Sequence, residues 1–254
     1  MRTAGGNQAT ETRRRLLDAA EHLFIERGYE GLSMRQITAH AGTNLAAVNY
    51  HFGSKEAMLR ELLSQRLDQL NTERLQLLDA CEAEGQIPDC ETILGILFVP
   101  ALQLGRTATA GPAFLRLLGR VYSDPSPFIR DHLQQHYRLI FGRFFDAFAR
   151  ALPQLPRSEL GLRLHFTLKS LSGVLAADDM DELVADLSMG QPIPDAELLA
   201  RLVALVSPAL TAPLGTPAQV GKIHRLLQLK QVGTRDGQGK PPRSIRPSRA
   251  KTTA

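Results

Sequence analysis

Residues 32–55 read LSMRQITAHAGTNLAAVNYHFGSK, and the fold follows from how this stretch can be wound. Ser33 and Gln36 have the S-x-x-Q spacing of a capping box, in which each side chain satisfies a free backbone donor, so a short helix is expected to start here. Met34, Ile37 and Ala41 recur at three- and four-residue steps and make one apolar stripe; Gly42 follows where a left-handed residue would stop the helix. Asn44 is a good N-cap for a second helix, in which Val48 and Phe52 share the buried side. At about 100° per residue, Thr43, Ala46 and Tyr50 point away from Val48, with Ala47 and Asn49 on the flanks. That outward face is small and polar. Two short helices joined by a glycine turn read as a helix-turn-helix over residues 33–52, whose second helix lies in the major groove of DNA. An ordinary helical hairpin with solvated faces has the same spacing.

The flanking residues separate the two readings. The run AGTNLAAVNYHFGSKEAML, Ala41 to Leu59, resembles the signature of TetR-family transcriptional regulators: A-G, a polar cap, a short recognition helix ending in aromatic-His/aromatic-Phe, then G/P-S-K opening the next helix. RRRLLDAAEHLFIERGY, Arg13 to Tyr29, is similar to the family's first helix. Together these runs cover about a quarter of the chain. One departure stands out, because Leu45 and two alanines occupy a recognition helix where many relatives carry lysine or another polar residue. The resemblance implies an all-α fold, with a three-helix head over residues 11–56 and a helical effector-binding and dimerisation body over 57–212. It also implies a homodimer, a double-stranded DNA operator and a small-molecule effector, with repression as the default.

Outward from this stretch, the chain has 254 residues and is 43% hydrophobic, enough to bury a sizeable core. No apolar run reaches 18 residues and the opening MRTAGGNQATETRRR lacks a signal-type segment, so a cytoplasmic protein without a membrane partner is expected. Charge is unevenly spread: residues 61–212 hold 13 Lys/Arg against 19 Asp/Glu, and residues 213–254 hold 9 against 1. Residues 1–10 are expected to be a flexible start. The Pro/Gly/Ser-rich basic tail from 213 onward is expected to be disordered, either holding phosphates or only aiding solubility. Cys81 and Cys90 are too few for a disulfide framework and read as incidental thiols.

Between Glu11 and Leu210 every segment reads as helix. Leu16, Ala20, Leu23 and Phe24 make the buried stripe of the first, closing at Gly28; Arg13, Arg14 and Arg15 at its amino end face either the DNA backbone or solvent. Ser54 caps a long helix to about Ala80, with Leu59, Leu62, Leu63, Leu67 and Leu70 inward. Helices are expected over Thr92–Leu104, with Pro100 inside, and over Ala113–Tyr122, Phe128–Leu152, Ser158–Ala177 and Ala196–Leu210. An acidic loop beginning at Asp178 separates the last two. Phe128–Leu152 carries six of the chain's 14 aromatics and lines a core or a pocket. Gly161, Ser170, Ser172 and Gly173 are small enough for close helix approach, and in the family the last two helices pair with their copies.

Phosphate contacts, which set register, fall to Ser33, Arg35, Tyr50, His51 and Lys55, the last at a helix start with free amides. Thr43, Asn44, Leu45, Ala46, Ala47 and Asn49 are left for base edges and the groove. No Arg or Lys lies between Asn44 and Phe52, so the commonest guanine contact is missing and thymine methyls, Asn49 or Thr43, and DNA shape must carry the reading. A second resemblance, on NLAAVNYHFGSK and Phe114–Tyr137, is to the family's fatty-acid-responsive subgroup, and implies a long-chain fatty acid or acyl-CoA as effector. Arg116, Tyr137, Phe141, Phe145 and Phe166 are the candidate effector residues, with plain core and a structural ion pair as the competing reading.

His132 and His136 stand one turn apart, but the glutamate of H-E-x-x-H is missing and a solvated helix face is expected. With no G-x-S-x-G, phosphate loop or recognisable carboxylate pair, no catalytic residue, metal or cofactor is expected.

Overall fold

The computed structural model describes residues 4–107, 111–175, 189–191 and 193–235. They form ten helices and no strand: α1 (Ala4–Arg27), α2 (Met34–Ala41), α3 (Leu45–His51), α4 (Lys55–Ala83), α5 (Cys90–Gly105), α6 (Gly111–Ser123), α7 (Pro127–Ala151), α8 (Arg157–Leu175), α9 (Asp195–Thr211) and α10 (Pro217–Arg235). The acidic loop at Asp178 lies outside the described residues.

Local chemistry explains most boundaries. Ser33 Oγ accepts from Gln36 N at 3.3 Å, Asn44 Oδ1 from Ala47 N at 2.9 Å, Ser54 Oγ from Ala57 N at 3.0 Å, Asp89 Oδ1 from Thr92 N at 2.8 Å and Ser126 Oγ from Phe128 N at 3.2 Å, so each of these helices opens on a side-chain cap. Gly42 ends α2 at φ 60°, a conformation that penalises any side chain with a Cβ. The Gln36 side chain accepts from Ser33 Oγ at 2.7 Å, so its oxygen meets the cap hydroxyl where a capping box would send it to the cap amide.

Two apolar clusters organise the first unit, residues 1–211. The first joins α1, α2 and α3 to the amino half of α4 and to α6: Leu16, Phe24, Ile37, Val48, Met58, Leu62 and Phe114 are at most 1% exposed. The second joins the far end of α4 to α5, α7, α8 and α9 through Leu78, Ile93, Phe148, Leu160 and Leu210. Helix α4, 29 residues and about 43 Å long, contributes to both.

A glycine makes the joint between α1 and α6. Gly28 sits at φ 70°, and a Cβ there would lie 2.5 Å from Arg120 Nη2 and Asp124 Oδ2. Next to it, Tyr29 donates its backbone N–H to Asp124 Oδ2 at 3.0 Å and its hydroxyl to Glu56 Oε1 at 2.8 Å, and stacks on Phe128 at 4.6 Å. Burial and the Glu56 carboxylate push the Tyr29 hydroxyl up to about 12, so it remains a donor.

Two terminal expectations change. Helix α1 begins at Ala4, inside the stretch expected to be flexible, because Gln8, Ala9 and Thr12 lie alongside α3. Residues 217–235 are helical where a disordered tail was expected. Thr216 and Gln219 form a reciprocal cap, Thr216 N donating to Gln219 Oε1 at 2.7 Å and Gln219 N to Thr216 Oγ1 at 3.3 Å, with Pro217 at the first helical position. Helix α10 falls in a separate unit from residue 212 on.

Candidate nucleic-acid interface and body cavity

Helix α3 is held from behind by Val48, which is fully buried, and its outer face is open. Tyr50 is 83% and Leu45 44% exposed; Asn44, Ala46 and Asn49 are also exposed, and Ala47 and His51 are half-buried. Ser33 and Arg35 are exposed at the start of α2. These residues share a surface with Gln8, Ala9 and Thr12 of α1, which border the cleft containing Asn44, Ala46, Ala47, Tyr50 and His51. Nothing in the AGGNQATET stretch marks those three, since a helix there depends on the neighbouring surface.

Some expected contacts are spent inside the head. Lys55 points back, its Nζ donating to Tyr29 O at 3.2 Å and Leu32 O at 3.3 Å and lying 3.9 Å from the Tyr29 ring centre, so it braces the α1–α2 loop. The amides at the start of α4 are likewise served internally. Ser54 caps Ala57, and the Glu56 carboxyl is held below its ordinary range first by its own backbone N–H and then by Tyr29. The hydroxyl of Thr43 is buried with no partner among the described residues, so Thr43 presents no polar group to a base in this conformation. Arg15 donates to Ala41 O and Gly42 O, clamping the helix-turn-helix turn; Arg13 pairs with Glu61, and Arg14 with Glu11 and Asp18.

The body holds a partly open cavity of about 200 Å³. Its walls include Leu97 and Phe98 of α5, Ile140, Phe141, Phe144, Phe145 and Phe148 of α7, and Leu164 and Leu168 of α8. Phe141 and Phe145 of the expected effector set are therefore on the wall, and the other three are elsewhere. Tyr137 is buried toward α4 and donates to Asp68 Oδ1 at 2.7 Å; burial first, and then this contact, raise its hydroxyl well above the ordinary range. Phe166 is 62% exposed on α8. Arg116 lines a cleft between α1 and α6 with Asp18, Glu21 and Glu26, where opposite charge attracts it. Gly161 and Ser172 border the cavity, while Ser170 and Gly173 are exposed.

Sequence reasoning missed Asn71 and Arg74 of α4, both on the cavity wall and both 4% exposed. The signal was present, because they continue the Leu67, Leu70, Leu78 stripe at helical spacing. Arg74 donates from Nε to Leu97 O at 2.9 Å and from Nη1 to Asn71 Oδ1 at 3.2 Å and Tyr122 OH at 3.3 Å.

His132 departs from the expected solvated face. It is 8% exposed, its ring stacked between Phe128 and His136, and burial lowers its proton affinity, assisted by His136 and Arg60. The two imidazoles lie nearly parallel at 5.4 Å, a geometry that does not converge their lone pairs on one ion. Burial also pushes the Cys90 thiol up to about 11, so it stays protonated and inert at neutral pH. Among the described residues, no helix is long and apolar enough to cross a membrane.

Known proteins show the same two parts. Residues 16–62 match the family model for bacterial regulatory proteins of the tetR family, and residues 96–209 match the tetracyclin repressor-like C-terminal domain. The transcriptional repressor AcnR of Corynebacterium glutamicum is 36% identical over 62 residues, 24% of this chain and 33% of that repressor. The repressor BdcR of Escherichia coli is 25% identical over 138 residues, 54% of this chain and 66% of BdcR. The chain thus aligns with about a third of the first relative's length and just under two thirds of the second's. A putative tetR-family regulator from Shewanella superposes with a TM-score of 0.52 over 80% of this chain and 99% of its own, at 17% identity, which supports the fold. With an amino-terminal model on the capped head and a carboxy-terminal model on the cavity-bearing body, the chain belongs to the TetR family.

Proposed function

We propose that this protein is a sequence-specific DNA-binding transcriptional repressor, a homodimer released from a palindromic operator by a small apolar effector such as a long-chain fatty acid or acyl-CoA. The observation that carries this reading is α3: a capped helix, anchored by fully buried Val48, with an open face of Leu45, Ala46, Asn49 and Tyr50 and no cation of its own. Such a face reads thymine methyls and one amide-bonded base, and leaves the rest to duplex shape. Ser33, Arg35, Tyr50 and His51 supply the phosphate contacts. Dimerisation is supported by Leu162 and Phe166 of α8 and Leu205 of α9, which are 52–73% exposed on two helices that pack together. Two heads related by a twofold axis read half-sites about one helical turn apart.

Effector release follows from the joint at Gly28. Tyr122 borders the cavity, and two residues later Asp124 holds Tyr29 N with one oxygen and Ser126 N with the other, at 3.0 and 2.9 Å. A ligand that shifts the end of α6 therefore moves the first helix and the start of α4 together. Couplings of about 1–3 kcal/mol are typical of such linkage.

In vitro selection of binding sites, followed by competition with bulk genomic DNA, tests the proposal. A repressor keeps a palindromic motif under that challenge; loss of all preference would show a DNA-coating protein instead. Mapping sites in cells with and without a fatty-acid carbon source tests the effector, a change in occupancy being expected. An unchanged map would favour a regulator of an unrelated small molecule.

A further inference from the structure

Arg74 is 4% exposed, and all of its acceptors, Leu97 O, Asn71 Oδ1 and Tyr122 OH, are neutral. Among the described residues no carboxylate pairs with it, and its hydrogen bonds run from Nε and Nη1, leaving Nη2 for a further acceptor. A guanidinium cannot shed its proton at any physiological pH, and an uncompensated charge this deep is strongly disfavoured. On α8, bordering the same cavity, the buried Ser172 hydroxyl also lacks a partner among the described residues. The other walls are almost entirely aliphatic and aromatic. One fixed cation and one spare hydroxyl in an apolar chamber define a ligand with one negative group and an apolar body.

We infer that the cavity takes a free monocarboxylate with an apolar tail, its carboxylate accepting from Arg74 Nη2 and its tail lying against Phe144, Phe148 and Leu164. The inference rests on the reading that the cavity is the effector site, and narrows it to the free acid. An acyl-CoA has an uncharged thioester carbonyl in place of the carboxylate, so it leaves Arg74 without its counter-ion. Its several phosphates also exceed the single cation on this wall. An alcohol of equal length fills the same volume but offers no charge. A charge-assisted hydrogen bond against an apolar wall separates these ligands by about tenfold or more.

Isothermal titration of the full-length protein, without DNA, with decanoate, 1-decanol and decanoyl-CoA tests this. Wild type is expected to bind decanoate at least about tenfold more tightly than the other two. Arg74→Met should bring decanoate down to the level of decanol, and Arg74→Lys should keep a preference for the acid. Leu168→Trp, which fills the cavity from its wall, should abolish binding of all three. If Arg74→Met lacks the wild-type circular-dichroism spectrum, Arg74→Gln takes its place. No binding of decanoate, equal binding of decanol or the thioester, or a preference that survives loss of the cation would each overturn the inference. Operator binding is measured separately on the unliganded proteins. Its failure in wild type sinks the repressor reading and leaves the carboxylate result standing.

Discussion

The head and the body of this chain bury comparable apolar side chains to different ends. In the head, Leu16, Phe24, Ile37 and Val48 are fully buried, α2 and α3 open on side-chain caps, and Arg15 and Lys55 are turned onto backbone carbonyls. In the body, the aromatic helix α7 stops short of filling its surroundings, and a cation and a hydroxyl are left facing the gap. Close packing and capped helix ends make one geometry, as a surface proposed to fit a DNA groove requires. A gap with an uncompensated charge is tolerated where something else completes it. On the proposed reading, the contrast sets a rigid reader against a responsive part.

The largest effect should separate the two cores. Phe24→Ala, at a fully buried head position, is expected to lower unfolding stability by about 3–5 kcal/mol, and Phe145→Ala on the cavity wall by about 1 kcal/mol. Equal losses in chemical denaturation would erase the distinction between packed head and open body. On the reading face, Asn49→Ala should forfeit about 1–3 kcal/mol of discrimination at one base pair while leaving the fold intact. Binding-site selection with the variant that returns the wild-type motif would remove Asn49 from that role.

The joint is tested next. Gly28→Ala places a Cβ against Asp124 and Arg120 in a left-handed conformation, which should reduce stability by about 1–2 kcal/mol and change effector response more than operator affinity. A response unchanged in a DNA-release assay would uncouple α6 from the head. The smallest effect concerns acid. Because folding lowers the proton affinity of His132, the unfolded chain binds the proton more readily, so stability is full above the unfolded value near pH 6.5 and declines as pH falls below it. His132→Leu should flatten that decline in urea titrations at pH 5 and 7. An identical slope would show that other groups carry it.

The caps at Ser33, Asn44 and Ser54 and the glycine at position 42 were legible because each acts within four residues of itself. The cap at Thr216 obeys the same rule, and its Thr-Pro-x-Gln signal was outweighed by the basic, proline-rich composition beyond it. Lys55 and Arg116 misled because a charged residue looks alike in sequence whether it meets a phosphate, a carbonyl or a carboxylate. Arg74 was overlooked for a related reason: its place on an apolar stripe was visible, but the role inferred for it depends on α5, α6 and α8 closing around it.

By itself, then, the sequence determined the helical periodicity, the two-helix reader with its capped ends and cation-free face, and the family to which the chain belongs. Only the tertiary structure decided which cations are spent on carbonyls, that α1 flanks α3, and that Arg74 faces a cavity without a counter-charge. The reason is range. Helix faces and caps are fixed by neighbours a turn away, whereas the compensation of a buried charge depends on residues brought together from distant parts of the chain.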